Sequence, residues 1–186
     1  MSEPLILVMD LEATCADDGS ISGEQMEIIE IGACWARRSG EVIDQFQMLV
    51  RPLERPVLTP FCRQLIGITQ AEVDTADLFP VAAEQLARFV LAYKTEGSVW
   101  LSWGNYDRQQ LARECTRHQV VDPVALPHIN GKKLFAKQRR IGKQVGMAKA
   151  LELVGLTLTG THHRGLDDAM NIARLLPFFI SYIPSY

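Results

Sequence analysis

Apolar and polar positions fall along this chain in two rhythms. The first is short and nearly unbroken. "LILVMDLEA" has too few polar positions for a strand with one wet face, so it reads as a largely buried strand. "EIIEIGACWARR" and "VIDQFQMLVRP" read as two more strands, joined through "SGE" as a hairpin turn. The prolines of "RPLERP" end this meander, and "TPFCRQLIG" predicts a short helix with Thr59 as N-cap and Pro60 at the first helical position. The second rhythm repeats every three to four residues. It makes "FPVAAEQLARFVLAYK" an amphipathic helix ending before Gly97. "SVWLSWG" then reads as a fourth strand, "YDRQQLARECTRHQ" as a helix and "LPHING" as the place of a short fifth strand. "GMAKALELVG" is a helix closed by Gly155, and "LDDAMNIARLLPFFI" is the last helix. Three strands followed by alternating helices and strands predict an α/β fold, with an antiparallel three-strand meander joined to parallel strands and helices flanking the sheet. No repeat or low-complexity linker divides the sequence. A single domain over residues 1–186 is therefore expected, long enough to bury a substantial core.

Composition narrows the class. Hydrophobic residues make up 47% of the chain, yet no apolar run reaches bilayer-spanning length, and "MSEPLI" lacks a basic signal-peptide region. A cytoplasmic protein with no membrane partner is the expectation. Cys15, Cys34, Cys62 and Cys115 form no CxxC pair and no metal-ligand spacing, so they read as reduced thiols rather than a disulfide framework. The net charge of −3 does not by itself point to nucleic acid, but its distribution is uneven. Between Asp122 and Glu152 there is no acidic residue, whereas Lys132, Lys133, Lys137, Arg139, Arg140, Lys143 and Lys149 all fall there. Such segregation can attract phosphates, and it can equally form a solvated basic face.

The candidate chemistry begins where the first strand ends. Residues i and i+2 of a strand share a face, so Asp10 and Glu12 of "DLE" project side by side. Two ionised carboxylates there repel unless a cation neutralises them or one of them holds a proton. Oxygen ligands of this kind suit Mg²⁺ or Mn²⁺. Asp107 stands at the start of a helix just after an apolar strand, and "HHRGLDD" opens the last helix. Each feature alone is explained by capping or by surface placement. Their joint order, DxE, then D, then H-x4-D, each at the edge of a core element, is a stronger signal.

That combination, carried by "DLEATC", "EIIEIGA", "FCRQLIGITQAEVDTADLF", "HINGKKLFA" and "HRGLDDAMNIARLL", resembles the DnaQ-like, DEDDh-type 3′→5′ exonucleases of the ribonuclease H-like fold, and among them the Eri-type RNA exonucleases. The resemblance runs through nearly the whole chain. It implies that Asp10, Glu12, Asp107 and Asp168 hold two Mg²⁺ ions, with Mn²⁺ able to substitute, and that His163 is the general base. Two such ions, roughly 3.5–4 Å apart, hold the attacking and leaving oxygens of an in-line displacement. It also implies backbone contacts to the terminal nucleotide from Ala13 and Thr14, and a stacking clamp formed by Phe61 and Tyr106. The implied partner is a single-stranded nucleic acid with a free 3′-OH, RNA before DNA, and the implied product is a nucleoside 5′-monophosphate. The register of the resemblance selects His163 over His162, which then reads as an exposed loop side chain. Two alternatives stay open at this point: the same chemistry on DNA in proofreading or repair, and a nucleic-acid-binding protein on a nuclease scaffold.

Overall fold

The computed structural model describes residues 3–180; Met1 and Ser2 of the "MSEPLI" stretch lie outside it, as do residues 181–186. In chain order the elements are β1 (Ile6–Ala13), β2 (Ile28–Ala36), β3 (Val42–Arg51), α1 (Pro60–Ile66), α2 (Gln70–Asp74), β4 (Asp77–Leu78), α3 (Phe79–Tyr93), β5 (Val99–Ser102), α4 (Tyr106–His118), β6 (His128–Asn130), α5 (Gly131–Gln138), α6 (Met147–Leu153) and α7 (Gly165–Leu175). The strands form one sheet in the order β4-β3-β2-β1-β5-β6. The β1–β2 and β2–β3 pairs are antiparallel, while β5 and β6 extend the sheet in parallel from β1. This is the mixed α/β sheet that the alternation of strands and helices predicts.

β1 is central and covered on both faces, which is why its sequence is nearly unbroken hydrophobe. Its side chains alternate between two cores. Ile6 and Val8 join Leu101, Phe135, Ala169 and Ile172 on the face covered by α6 and α7. Leu7, Met9 and Leu11 join Trp35, Phe79, Leu86 and Leu111 on the face covered by α3 and α4. The same alternation assigns Asp10 and Glu12 to the α7 side, at the carboxyl end of the central strand. Pairing between β1 and β5 runs only from Ile6↔Val99 to Val8↔Leu101. Beyond Val8 that edge of β1 is free of β5, and a crevice can open there, as is usual at the strand ends of open α/β sheets.

A close crossing brings α7 onto this crevice. A Cβ built on Gly32 of β2 would lie 1.9 Å from the backbone carbonyl carbon of Gly165, the first residue of α7. Only glycine at position 32 lets the helix N-terminus approach so near.

Three elements are not visible in the hydrophobic pattern. α2 has five residues and is fixed by the Thr69–Glu72 capping box. β4 has two residues, placed by parallel pairing to Val50 and Arg51. α5 buries only Gly131 and Phe135 and is capped by the Asn130 side chain, which accepts from the Lys133 amide. The last helix is shorter than its apolar run. It ends at Leu175 and gives way to a 3-10 turn at Leu176–Phe178, where Pro177 removes a helical donor. Thr59 caps α1 as expected, accepting from the Cys62 amide at 3.0 Å. All four cysteines are free, and no helix among the described residues is long and apolar enough to cross a membrane.

Candidate active site

Four acidic side chains from three elements converge on one cavity of about 320 Å³, lined by Asp10, Glu12, Trp103, Tyr106, Asp107, Gly146, Met147, His162, His163 and Asp168, with Leu11 between the two carboxylates. β1 supplies Asp10 and Glu12, the first turn of α4 supplies Asp107, and the first turn of α7 supplies Asp168. Ligand oxygens of Asp10, Glu12 and Asp168 lie within 4.8 Å of one another. Asp107 is 4% exposed and accepts the Leu11 amide at 3.0 Å. That amide lies on the stretch of β1 that β5 leaves unpaired, so the strand end and the helix start are tied together at the crevice.

The electrostatics of the set are unfavourable for these side chains by themselves. Burial, followed by the charges of Asp107, Glu12 and Asp168, holds Asp10 well above the ordinary carboxylate range. Burial and then Asp168 and Glu30 push Glu12 up to about 8. Burial raises Asp107 to about 6, against the lowering effect of the Leu11 hydrogen bond. Asp168 is also raised by burial, opposed first by the His163 amide. Among the described residues no Lys or Arg forms an ion pair with any of the four. A crowded, buried, all-oxygen donor set of this kind fits a hard divalent cation, for which carboxylates are the ordinary ligands.

The two adjacent histidines engage Asp168 differently. The His162 ring nitrogen Nδ1 lies 2.9 and 3.1 Å from the two Asp168 oxygens, although its side chain is 43% exposed. His162 is thus not merely the exposed loop side chain that the sequence suggests. His163 donates its backbone amide to Asp168 at 3.0 Å, has a left-handed backbone (φ 64°), and stacks its ring on that of His162 at 4.0 Å. Burial, then the charge on His162, lowers the His163 pKa. A neutral imidazole that can accept a proton results.

The loop carrying both histidines is anchored by a pair that sequence reading passed over. Glu30 is fully buried on β2, directly across from Glu12 in the strand register. It accepts three guanidinium contacts from Arg164 at 3.1–3.3 Å, the Gly165 amide at 3.0 Å and the Gln47 side-chain amide at 2.6 Å. The signal was a second acidic residue inside the apolar strand "EIIEIGA", where a buried carboxylate requires a partner.

Of the other expected site residues, Tyr106 is 41% exposed and lines the cavity, as does Trp103, whose position just after an apolar strand was the only hint. Ala13, Thr14 and Phe61 do not line it. The Thr14 amide donates to the Glu27 carbonyl at 2.8 Å, and its hydroxyl accepts from the Glu27 amide, which ties the end of β1 to the start of β2. Phe61 is half-buried on α1 and belongs to none of the three hydrophobic clusters.

A family model for the RNase T exonucleases matches residues 7–176. The chain belongs to this exonuclease family. It is 32% identical over 185 residues to the probable 3′-5′ exonuclease KapD of Bacillus subtilis, covering 94% of this chain and 84% of that protein. It is 30% identical over 190 residues to human ERI1 exoribonuclease 2, covering 91% of this chain and 27% of that protein, so the exonuclease chain spans about a quarter of this longer relative. Among solved structures it superposes on the nuclease domain of 3′hExo, a DEDDh family member bound to rAMP, with a TM-score of 0.80 and 30% identity, covering 92% of this chain and 88% of that one. The sheet and its flanking helices are those of the DEDDh nucleases.

Proposed function

We propose that this exonuclease removes nucleotides one at a time from the 3′ end of single-stranded RNA, or of an RNA 3′ overhang, releasing nucleoside 5′-monophosphates. The observation that carries the reading is the convergence of Asp10, Glu12, Asp107, Asp168 and His163 on one cavity. Relatives named as exoribonucleases, and a structural neighbour bound to rAMP, favour RNA as the substrate. Two Mg²⁺ ions, replaceable by Mn²⁺, would supply the Lewis acidity and the activated water of an in-line phosphoryl displacement when bound. Asp10, Glu12, Asp107 and Asp168 would hold these ions, since their carboxylates line the one cavity. His163 accepts the proton of the attacking water, for which its lowered pKa keeps it in the basic form at neutral pH. Its loop precedes α7, so the imidazole can adjust to substrate while Asp168 stays fixed by the helix. Tyr106 offers a partly exposed aromatic face to the terminal base, a contact that tolerates any sequence.

The test is a time course on 5′-labelled RNA and DNA of the same sequence, each ending in a 3′-hydroxyl or a 3′-phosphate. RNA with a free 3′-hydroxyl should shorten fastest, and the 3′-phosphate should block it. Faster digestion of DNA would move the reading to DNA, and cleavage indifferent to the 3′ group would remove the exonuclease reading altogether.

A further inference from the structure

A second cavity lies beside the catalytic one. It is an open cleft of about 580 Å³ between α5 and the loop that leads to α6, lined by Lys133, Ala136, Lys137, Arg140, Gly142, Lys143 and Gln144. Lys133 and Lys137 are four residues apart and so share one face of α5. Arg140, in a left-handed backbone conformation (φ 51°), and Gly142 (φ 72°) turn the chain back so that Lys143 joins them. All four cations are exposed. None has an acidic partner among the described residues. An ordinary solvated basic face would have acidic residues interspersed, and the sequence from 123 to 151 has none.

The cleft is joined to the catalytic cavity by fixed contacts. Gly146 and Met147 line that cavity, and Gly146 lies three residues after Lys143, so at most about 11 Å of chain separates them. The Trp103 indole, itself in the catalytic cavity, donates to the Val145 carbonyl at 3.0 Å and packs against buried Phe135 of α5. On the other side the Asn130 side-chain Nδ2, at the cap of α5, donates to Oδ1 of Asn105 at 3.1 Å, two residues before Asp107. The cleft therefore lies within about three nucleotides of the catalytic cavity, at the roughly 3.4 Å rise of a stacked strand.

We propose that this cleft is a second binding site for the substrate, holding the backbone phosphates of the RNA strand a few nucleotides upstream of the one being removed. The proposal rests on the exonuclease reading above. It gives the enzyme a length preference: substrates too short to reach the cleft bind through the catalytic cavity alone.

The experiment compares wild type with the Lys133→Gln/Lys137→Gln/Arg140→Gln/Lys143→Gln variant. Binding of a single-stranded RNA of about a dozen nucleotides is measured in EDTA, where no turnover occurs, at low and fourfold higher salt. Each phosphate contact on a single strand contributes about 0.7 to the slope of log Kd against log salt. With four contacts, wild type should lose roughly 50-fold more affinity than the variant across that range. In Mg²⁺, cleavage of a dinucleotide should be the same for both proteins. Equal salt dependence would overturn the cleft as a binding site, while dinucleotide cleavage would keep the exonuclease reading standing. Loss of dinucleotide cleavage in the variant would also overturn it, since the cleft would then be part of the catalytic machinery. Wild type that cleaves neither RNA would overturn the exonuclease reading instead. Should the fourfold variant melt below wild type, the Lys137→Gln/Arg140→Gln pair, both exposed, repeats the comparison with half the expected slope change.

Discussion

Glu12 carries a charge that the folded chain opposes. Its carboxyl rises from the usual 4.5 to about 8, first through burial and then through Asp168, Glu30 and Asp107. The fold favours the protonated form, so this contribution to stability is fully present below about pH 4.5 and lost as pH rises through about 8. Metal-free protein should therefore melt at progressively lower temperature between those limits. Glu12→Gln should weaken that dependence and stabilise the metal-free protein by roughly 0.5–2 kcal/mol, while abolishing cleavage. Thermal melts in EDTA check this, and a Glu12→Gln protein less stable than wild type at pH 8 would contradict the crowding argument. His163→Ala should lower kcat by about 10²–10⁴-fold while the stabilisation conferred by Mg²⁺ is retained. His162→Ala should keep most of the activity, because its partly exposed ring braces Asp168 rather than taking the proton. Equal inactivity of two folded variants would assign the base to the wrong imidazole. At this scale the gathering of the four carboxylates and His163 on one cavity was legible through the family resemblance, whose motifs carry residue type and order. Trp103 and Glu30 were not, because an indole or a glutamate in an apolar stretch shows its purpose only once its neighbours in space are known.

The elements place these groups through one tight crossing and one buried ion pair. Gly32→Ala would set a methyl group against the Gly165 backbone, forcing α7 and Asp168 away from β1. The expected cost is about 1–3 kcal/mol in stability, with a larger loss of kcat than that cost alone explains. An active Gly32→Ala enzyme with wild-type melting would show that the helix tolerates displacement. Arg164→Ala should cost about 3 kcal/mol by leaving Glu30 buried with only neutral donors. It should also disorder the histidine loop, which the pH profile of kcat would register. The strands and the amphipathic helices were readable because their periods extend over many residues. α2, β4 and α5 were not: five residues, two residues, and a basic helix with two buried positions are set by capping and by pairing to distant chain. The overlong last helix was misread because its apolar run continues through Pro177, past the point where backbone hydrogen bonding stops.

Across the fold, the sheet carries two carboxylates at the end of its central strand, a helix on each face delivers a third and a fourth, and a basic cleft lies beside the cavity they share. This arrangement is expected to cleave RNA from the 3′ end only when a divalent cation fills the carboxylate cage. The direct measurement uses protein freed of metal with EDTA, a 5′-labelled single-stranded RNA, and Mg²⁺ added back, with Asp10→Asn in parallel. Wild type should be inactive in EDTA. With Mg²⁺ restored it should give a ladder shortening one nucleotide at a time, with nucleoside 5′-monophosphate as the product by mass spectrometry, and Asp10→Asn should give none under either condition. An undiminished ladder in excess EDTA, or cleavage of a circular RNA with no 3′ end, would contradict it.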